Sequence, residues 1–387
     1  MRRTFGWLVR IAVALALAAL LLGLWKREEI ARLWAVNTLF DADRIVANFS
    51  AMDRAFLSTP VPRGEGPVTP LPRGAPAEMP EGVEDWLEAR AVTGIVVLKD
   101  GEIVFEDYRL GTRPEDRRIS WSIAKSFLSA LFGVLLEEGA ISSLDAPVTE
   151  YAPELAGSAY DGARIRDVLQ MASGVVFDED YLDPDSDINR MGRVLALGGS
   201  MDGFSAALRE RFAPPGADWR YVSIDTHVIG MVIRGATGRS IPELLSEKIV
   251  APMGLEFEPY YLTDGEGTAF VLGGLNMTTR DYARLGLLFA RDGRLGGRQI
   301  VPEAWVRAST APSAPTDPGA MGYGFQWWVP VGADDGEFMA RGVYGQYVWV
   351  HRERGVVIAV NAADRRFREA GVHESNVAMF RAIAEAL

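Results

Sequence analysis

The chain has 387 residues, 48% hydrophobic and 24% charged, enough for one large core or two entwined subdomains. Its net charge of -12 speaks against nucleic acid as a partner. The absence of cysteine excludes disulfides, thiolate catalysis and cysteine-ligated metal.

Arg2 and Arg3 precede an apolar run that includes Phe5, Trp7, Leu8 and Val9, is interrupted by Arg10, continues uncharged from Ile11 to Trp25, and is closed by Lys26 and Arg27. With Arg10 snorkelling to an interface, the run is long enough to span a bilayer. No small-x-small cleavage site follows it, since Leu21 to Trp25 leads straight into charge. Residues 1–27 therefore read as an uncleaved signal anchor in a bacterial inner membrane, N-terminus inside and body in the periplasm. A cleaved signal peptide is the alternative, because basic residues on both flanks bias the orientation only weakly.

Residues 28–85 read as a juxtamembrane helix, through Ile30, Leu33, Trp34 and Leu39, followed by a Pro/Gly-rich stretch with prolines at 60, 62, 67, 70, 72, 76 and 80. That stretch is an extended linker or a strap lying on the body. Residues 86–387 form the main domain. Thr93 to Leu98 and Ile103 to Tyr108 flank Asp100 and Gly101, which predicts a hairpin. Strand-like runs recur late, at Gly324 to Val331, Phe338 to Arg341, Gln346 to His351 and Val356 to Asn361. Between the two sets the signals are helical. They include Asp225 to Ala236 ahead of Gly238, a capping box of Ser240 and Glu243, and Thr278 with Asp281 capping Tyr282 to Arg291. A last amphipathic run covers Asn376 to Leu387. The expected fold class is α+β, an α/β sandwich with a helical subdomain, its antiparallel sheet assembled from both chain ends. A cleft between sheet and helical subdomain is the expected site.

The stretch from Ser120 to Gly139 carries the strongest chemical signal. Ile123, Phe127, Leu131, Val134 and Leu135 fall at helical spacing and predict a buried helix with Ser122 at its N-terminus. Free backbone N–H groups and the positive end of the helix dipole favour negative charge developing there. Lys125 follows three residues on. Burial among Ile123, Ala124, Phe127 and Leu128 penalises its charged form, so that its amine can take the serine proton. This is the S-x-x-K arrangement of serine acyl-transfer enzymes. The chain contains four lysines and one such match. The competing reading is an N-cap serine followed by a lysine that snorkels to the surface. Tyr221, Val222 and Ser223 then stand between a Pro-Pro-Gly turn and the Asp225 helix. Read alone, Tyr221 is equally a core tyrosine packed by Trp219.

Taken together, these landmarks resemble the penicillin-recognising serine hydrolases of the class C β-lactamase type, most closely their 6-aminohexanoate-dimer hydrolase and esterase relatives. The resemblance runs from about Phe40 to the C-terminus. It rests on Ser122 and Lys125; the segment Leu169, Gln170, Met171, Ala172, Ser173, Gly174; Tyr221 and Ser223; Gly273 and Gly274 leading to Thr278 and Asp281; and Gly345 entering a late strand. It implies a cofactor-free, metal-free hydrolase of small amides or esters in which Ser122, Lys125 and Tyr221 are catalytic. Tyr221 would move protons to the leaving group and from the hydrolytic water, its pKa drawn down by the neighbouring ammonium.

The sequence departs from the β-lactamase pattern at K-T-G, where it reads Gly342, Val343, Tyr344, Gly345, Gln346. The retained glycine lets the strand approach closely, so the backbone N–H of Gln346 is expected to join that of Ser122 as an oxyanion hole. Ser223, Tyr344 and Gly345 are expected to flank the substrate. The missing lysine and threonine are the groups that would grip a β-lactam carboxylate, so amide or ester cleavage is favoured over β-lactam hydrolysis.

Asp178 to Asp187 resembles the acidic, tyrosine-bearing loop over the cleft of the nylon-oligomer hydrolases. By that match Tyr181 bonds the scissile amide or its leaving nitrogen, and the acidic groups attract an amine; a solvated loop is the alternative. Tyr323, Phe325, Trp327 and Trp328 line the cleft or, as is more common, fill the sheet core. No G-x-S-x-G elbow, H-E-x-x-H pair or nucleotide-binding glycine fingerprint occurs. Rival readings are a D-alanyl peptidase or β-lactamase acting on peptidoglycan or penicillins, and a non-catalytic envelope-binding protein with the same fold.

Overall fold

The computed structural model describes residues 2–181 and 183–387; Leu182 of the acidic run lies outside them, as do the side chains of Arg2, Arg3, Thr4, Phe5, Val9, Glu28 and Glu29. Helix α1 (Arg2–Trp25) contains the apolar stretch Gly6–Trp25, none of it buried, which is long and apolar enough to cross a membrane. Helix α2 (Arg27–Asn37) follows after Lys26.

Beyond α2 the chain joins the body at once. Leu39, Ile45, Phe49 and Met52 are buried in the main core, and β1 (Leu57–Pro60) pairs with a strand some two hundred residues on. The proline-rich stretch is a strap, because its free amides bond to the body: Val61 to the Pro259 carbonyl at 2.8 Å, Thr69 to Gly254 at 2.8 Å, and Gly74 to Ile103 at 3.0 Å. Proline fixes the extended backbone, and the residues between prolines supply the donors.

Strands β2 (Val92–Lys99) and β3 (Glu102–Tyr108) form the expected hairpin. Asp100 and Gly101 both take left-handed backbone, at φ +53 and +92, as a two-residue turn requires. Three further strands, β4 (Arg118–Ile119), β5 (Tyr260–Thr263) and β6 (Leu275–Met277), join β1 in a small sheet of order β1-β5-β6-β4. The large sheet adds β7 (Gly322–Tyr323), β8 (Trp328–Val329), β9 (Glu337–Gly342), β10 (Gln346–His351) and β11 (Val356–Ala362), in the antiparallel order β3-β2-β11-β10-β9-β8-β7. Both chain ends therefore meet in one sheet, as expected.

Five helices position the rest: α3 (Ile123–Glu137), α4 (Asp187–Ala196), α5 (Ser223–Thr237), α6 (Thr279–Ala290) and α7 (Val372–Ala386). Ile95 and Val97 of β2 face the core that contains Phe380 and Ile383 of α7, while Val96 and Leu98 face the main core shared with α3 and α6. A strand covered on both faces reads as a continuous apolar run, which is why β2 shows no polar alternation. Helix α3 is buried from Ile123 to Leu135. At Gly133 a Cβ would lie 2.1 Å from the Trp305 ring, so only glycine admits that tryptophan against the helix.

The expected strand over 324–331 is broken. Gln326, at φ +66, interrupts it and leaves only β8, because its side chain and carbonyl are drawn inward. Its amide donates to the Leu169 carbonyl at 2.8 Å, its side-chain oxygen accepts from Thr226 at 2.7 Å, and its carbonyl accepts from Ser126 at 2.8 Å.

Arg284 ties the strap to the body. Fully buried, it donates to Asp281 at 2.9 Å, to Glu256 at 2.8 Å, and twice to the Thr69 carbonyl at 2.9 and 3.1 Å. Removing one partner of such a pair leaves an uncompensated buried charge. Arg284→Ala is expected to lower the free energy of unfolding by about 3–5 kcal/mol, read by denaturant titration, and to expose the strap to limited proteolysis around Thr69.

Candidate active site

The chain enters α3 through a forced turn. Trp121 takes φ +42, held by the rings of Phe49 and Phe40 at 5.6 and 6.0 Å, and Ser122 then opens the helix. A bulky residue in left-handed backbone is strained, and such strain persists only where packing over-determines it. Ser122 lines a cleft of about 540 Å³ together with Glu179, Tyr181, Tyr221, Arg341 and Val343.

Lys125 does not snorkel. It is 2% exposed, and its Nζ donates to the Leu272 carbonyl at 3.0 Å and lies 5.5 Å from the centre of the Tyr221 ring. Burial draws its pKa down to about 7, against the charges of Glu179 and Asp225, which act to raise it. Its amine is therefore available as a base near neutral pH.

Tyr221 stacks on Trp328 with ring centres 5.2 Å apart and meets Tyr323 edge-on at 6.4 Å. Its pKa moves opposite to the expectation. Burial, then the charge of Glu179, push it well above its ordinary value, and hydrogen bonding to Ser122 and Ser223 offsets only part of this. The expected downward pull presupposed a fixed ammonium, whereas the buried amine is itself poised to lose its proton. The phenol is held protonated, as a donor.

Glu179 was hidden in the acidic run, which reads as solvated charge. Instead it turns inward and accepts from the backbone N–H of Ser223 at 2.5 Å, the Ser223 hydroxyl at 3.1 Å and the Tyr181 hydroxyl at 3.0 Å. Burial raises its pKa, and Lys125 is the chief opposing influence. Tyr181 thus lines the cleft with its hydroxyl engaged by Glu179, while Asp180 pairs outward with Arg368 at 2.8 Å. Ser223 sits at the first turn of α5.

The end of β9 approaches the nucleophile. A Cβ at Gly342 would lie 2.7 Å from the Ser120 carbonyl and 3.1 Å from the Ser122 nitrogen, so only glycine fits. Gly342 and Val343 line the cleft. Gln346 does not. It lies opposite Gly342 on β10, fully buried, with its side-chain amide donating to the Tyr344 and Ala362 carbonyls at 3.1 and 2.7 Å and its oxygen accepting from Asn361 at 3.1 Å. Tyr344, at φ +59, stacks on Phe40 at 5.0 Å and packs against Phe367 at 4.6 Å, and Gly345 lies under Ala362. Of the run that replaces K-T-G, the structure thus brings Gly342 and Val343 to Ser122 and turns Tyr344, Gly345 and Gln346 away. Arg341, just before it, supplies a cation in the cleft that the sequence reading missed.

Behind Lys125, Asp225 accepts from Tyr160 at 2.7 Å and from Ser173 at 2.8 Å. Burial lifts its pKa to about 7. The Ser-Gly segment and the Asp225 helix, distant in sequence, are thereby joined beneath the serine and lysine. The beta-lactamase family model matches residues 83–378, a span that contains all of these groups.

The chain belongs to the beta-lactamase family. It is 32% identical over 326 residues to a 6-aminohexanoate-dimer hydrolase of Paenarthrobacter ureafaciens, covering 81% of this chain and 80% of that protein. A solved structure assigned as a 6-aminohexanoate-dimer hydrolase from Bacillus anthracis superposes with a TM-score of 0.76 at 23% identity, over 90% of this chain and 95% of that one. A D-stereospecific amidohydrolase from Streptomyces sp. shares the fold, with a TM-score of 0.57 at 20% identity over 76% and 98% of the two chains. The relationship makes this family member a hydrolase of amide or ester bonds.

His373 and Trp328 also line the cleft. His373 lines the cleft rim, its pKa pulled down to about 3 by burial and by Arg341, so it stays neutral. Phe325 and Trp327 are core, whereas Trp328 lines the cleft beneath Tyr221. Among the described residues no cluster of three or more histidine and carboxylate groups is placed to hold a metal ion.

Because Glu179 acts to raise the Lys125 pKa, Glu179→Gln is expected to move it below about 7. With only four lysines in the chain, selective ¹³Cε-lysine labelling resolves this titration by NMR. An unchanged or raised pKa contradicts the coupling.

Proposed function

We propose that the protein is a serine hydrolase that cleaves small amides or esters through an acyl-enzyme, with Ser122 as nucleophile, Lys125 as base and Tyr221 as proton carrier. The observation that carries this reading is the buried Lys125 amine, one turn from Ser122 and within 5.5 Å of the Tyr221 ring centre.

Ser122 Oγ attacks the carbonyl carbon as its proton passes to the neutral Lys125 amine. The tetrahedral oxyanion accepts from the backbone N–H groups of Ser122 and Val343, the latter in place of Gln346. As the intermediate collapses, the C–N or C–O bond breaks, the protonated Tyr221 phenol donates to the leaving amine or alcohol, and Lys125 returns a proton to the phenol. Water then attacks the ester by the reverse proton path and releases the acid, with Ser122 restored. Arg341 restores a cation to the cleft but not the hydroxyl of K-T-G, so linear amides and esters remain favoured over β-lactams. We assign α1 as the anchor in the inner membrane, with the body on the periplasmic side, since its apolar stretch is of spanning length and fully uncovered.

Ser122→Ala is expected to abolish both turnover of p-nitrophenyl esters and labelling by a fluorophosphonate; labelling that persists sinks the assignment. Tyr221→Phe should lower kcat by about 10²–10⁴. The kcat of the unmodified enzyme should rise with pH through about 7, as Lys125 loses its proton. Val343→Pro removes the proposed donor without a change of shape, because Gly342 at φ −123, ψ 159 already has the backbone that precedes proline. It should lower kcat by about 10²–10³, and unaltered kcat with intact fold assigns the oxyanion donor elsewhere.

A further inference from the structure

A second cavity, of about 490 Å³, also reaches Ser122 and shares Tyr181 and Val343 with the charged cleft. Its walls are mainly apolar, with Leu39 and Phe40 from the segment after α2, Met52 and Phe56 beyond them, and Ile188 and Met191 from α4; Arg193 is the one charged residue that borders it. The charged groups that border the first cleft, namely Glu179, Arg341, Arg368, Glu369 and Glu374, are absent from it, as is Tyr221. A charged cleft and a mainly apolar cavity therefore meet at one nucleophile.

We propose that the substrate carries a long apolar acyl chain, seated in this second cavity, and a polar leaving group, seated in the charged cleft. The inference rests on the serine mechanism above. The orientation follows from Tyr221. A group that protonates the departing amine or alcohol must face it, and Tyr221 lines only the charged cleft. The carbonyl carbon at Ser122 then directs its other substituent into the apolar cavity. Burial of each methylene there releases water from apolar surface on both sides.

The position of the cavity fits such a chain. Val36 and Asn37, at the C-terminal end of α2, form part of its wall. Earlier on the same helix Ile30, Leu33 and Trp34, at spacings of three and four, are exposed, and Leu197 at the end of α4 is 66% exposed beside the helix that α2 packs against. A short helix with a bare apolar face and a tryptophan, directly following a membrane-length helix, suits the bilayer interface. The cavity is thus walled by the element that would lie where apolar chains are most abundant.

The test uses the full-length protein in phosphatidylcholine vesicles with two ester series. One is p-nitrophenyl alkanoates from acetate to laurate, and the other is alkyl acetates of matching chain length. For the alkanoates kcat/KM is expected to rise by roughly two- to four-fold per methylene until the cavity is full, with no comparable rise along the alkyl acetates. Met191→Trp and Ile188→Trp, each narrowing the cavity, should cut the laurate-to-acetate ratio by roughly ten-fold or more. Laurate should inhibit acetate-ester turnover competitively in the unmodified protein, a measurement that needs no variant to fold. A flat alkanoate series with short esters still turned over, or chain length that counts only on the alkyl side, overturns the acyl cavity and leaves the hydrolase reading intact. Failure of every ester together with failure of fluorophosphonate labelling overturns the serine mechanism, and this inference with it.

Discussion

The site depends on keeping one amine out of water. Drawing the Lys125 pKa from an ordinary lysine value to about 7 means that its charged form is disfavoured by on the order of 5 kcal/mol. A lone buried ammonium would lose its proton altogether, and a well-paired one would hold it permanently. Neither is a useful base at neutral pH. The chain settles between these limits by placing Glu179 and Asp225 near enough to oppose burial, and a single carbonyl, that of Leu272, as the direct partner. Burial also acts on the two carboxylates, lifting Asp225 to about 7 and raising Glu179, so the groups that oppose deprotonation of the lysine are themselves reluctant to ionise. The tyrosine above them stays neutral chiefly because it is buried, and the carboxylate that helps the lysine stay charged further discourages a phenolate.

Such a balance requires rigid surroundings, and the polar groups of the core provide them. Ser126 and Ser129 on α3 donate to the carbonyls of Gln326 and Phe325, Thr226 on α5 donates to the Gln326 side chain, and Gln326 donates to Leu169. The helix bearing Ser122 and Lys125, the helix after Tyr221, and the Ser-Gly segment are thus fastened to one residue. Non-glycine residues in left-handed backbone surround this knot: Trp121, Met171, Gln326 and Tyr344, at φ from +42 to +66. The aromatic packing around Trp121 and Tyr344 opposes relaxation of that strain.

What could be read beforehand was whatever depends on near neighbours. The S-x-x-K turn, the Thr278 and Ser240 caps and the Asp-Gly hairpin are local patterns, and each forms where its spacing indicated. The α+β class and the sheet drawn from both ends followed from the order of those patterns. The burial of Gln346 is not legible in the sequence because it depends on register. The three residues between β9 and β10 turn with Tyr344 at φ +59, which leaves Val343 lining the cleft with Ser122 and Gln346 buried on β10. Glu179 was missed because an acidic run on an acidic protein has no local mark that separates one inward carboxylate from its solvated neighbours. Proline spacing likewise showed that residues 58–81 are extended, but their partners, Gly254, Pro259 and Ile103, lie far along the chain.

A proline-rich stretch after a membrane-length helix suggests a spacer that lets the body move freely. Here the body begins before that stretch. Leu39, Ile45, Phe49 and Met52 are already core, β1 is already in a sheet, and only then do the prolines start to run over the surface. Between Trp25 and the first of these core residues the connection is α2 itself, packed on α4. A helix rises about 1.5 Å per residue and does not reorient as a flexible linker does. The helix that follows the membrane-length α1 after a single residue, Lys26, thus also contributes Val36 and Asn37 to the wall of the second cavity, and the position of that cavity relative to the end of α1 is set by helix packing rather than by a spacer.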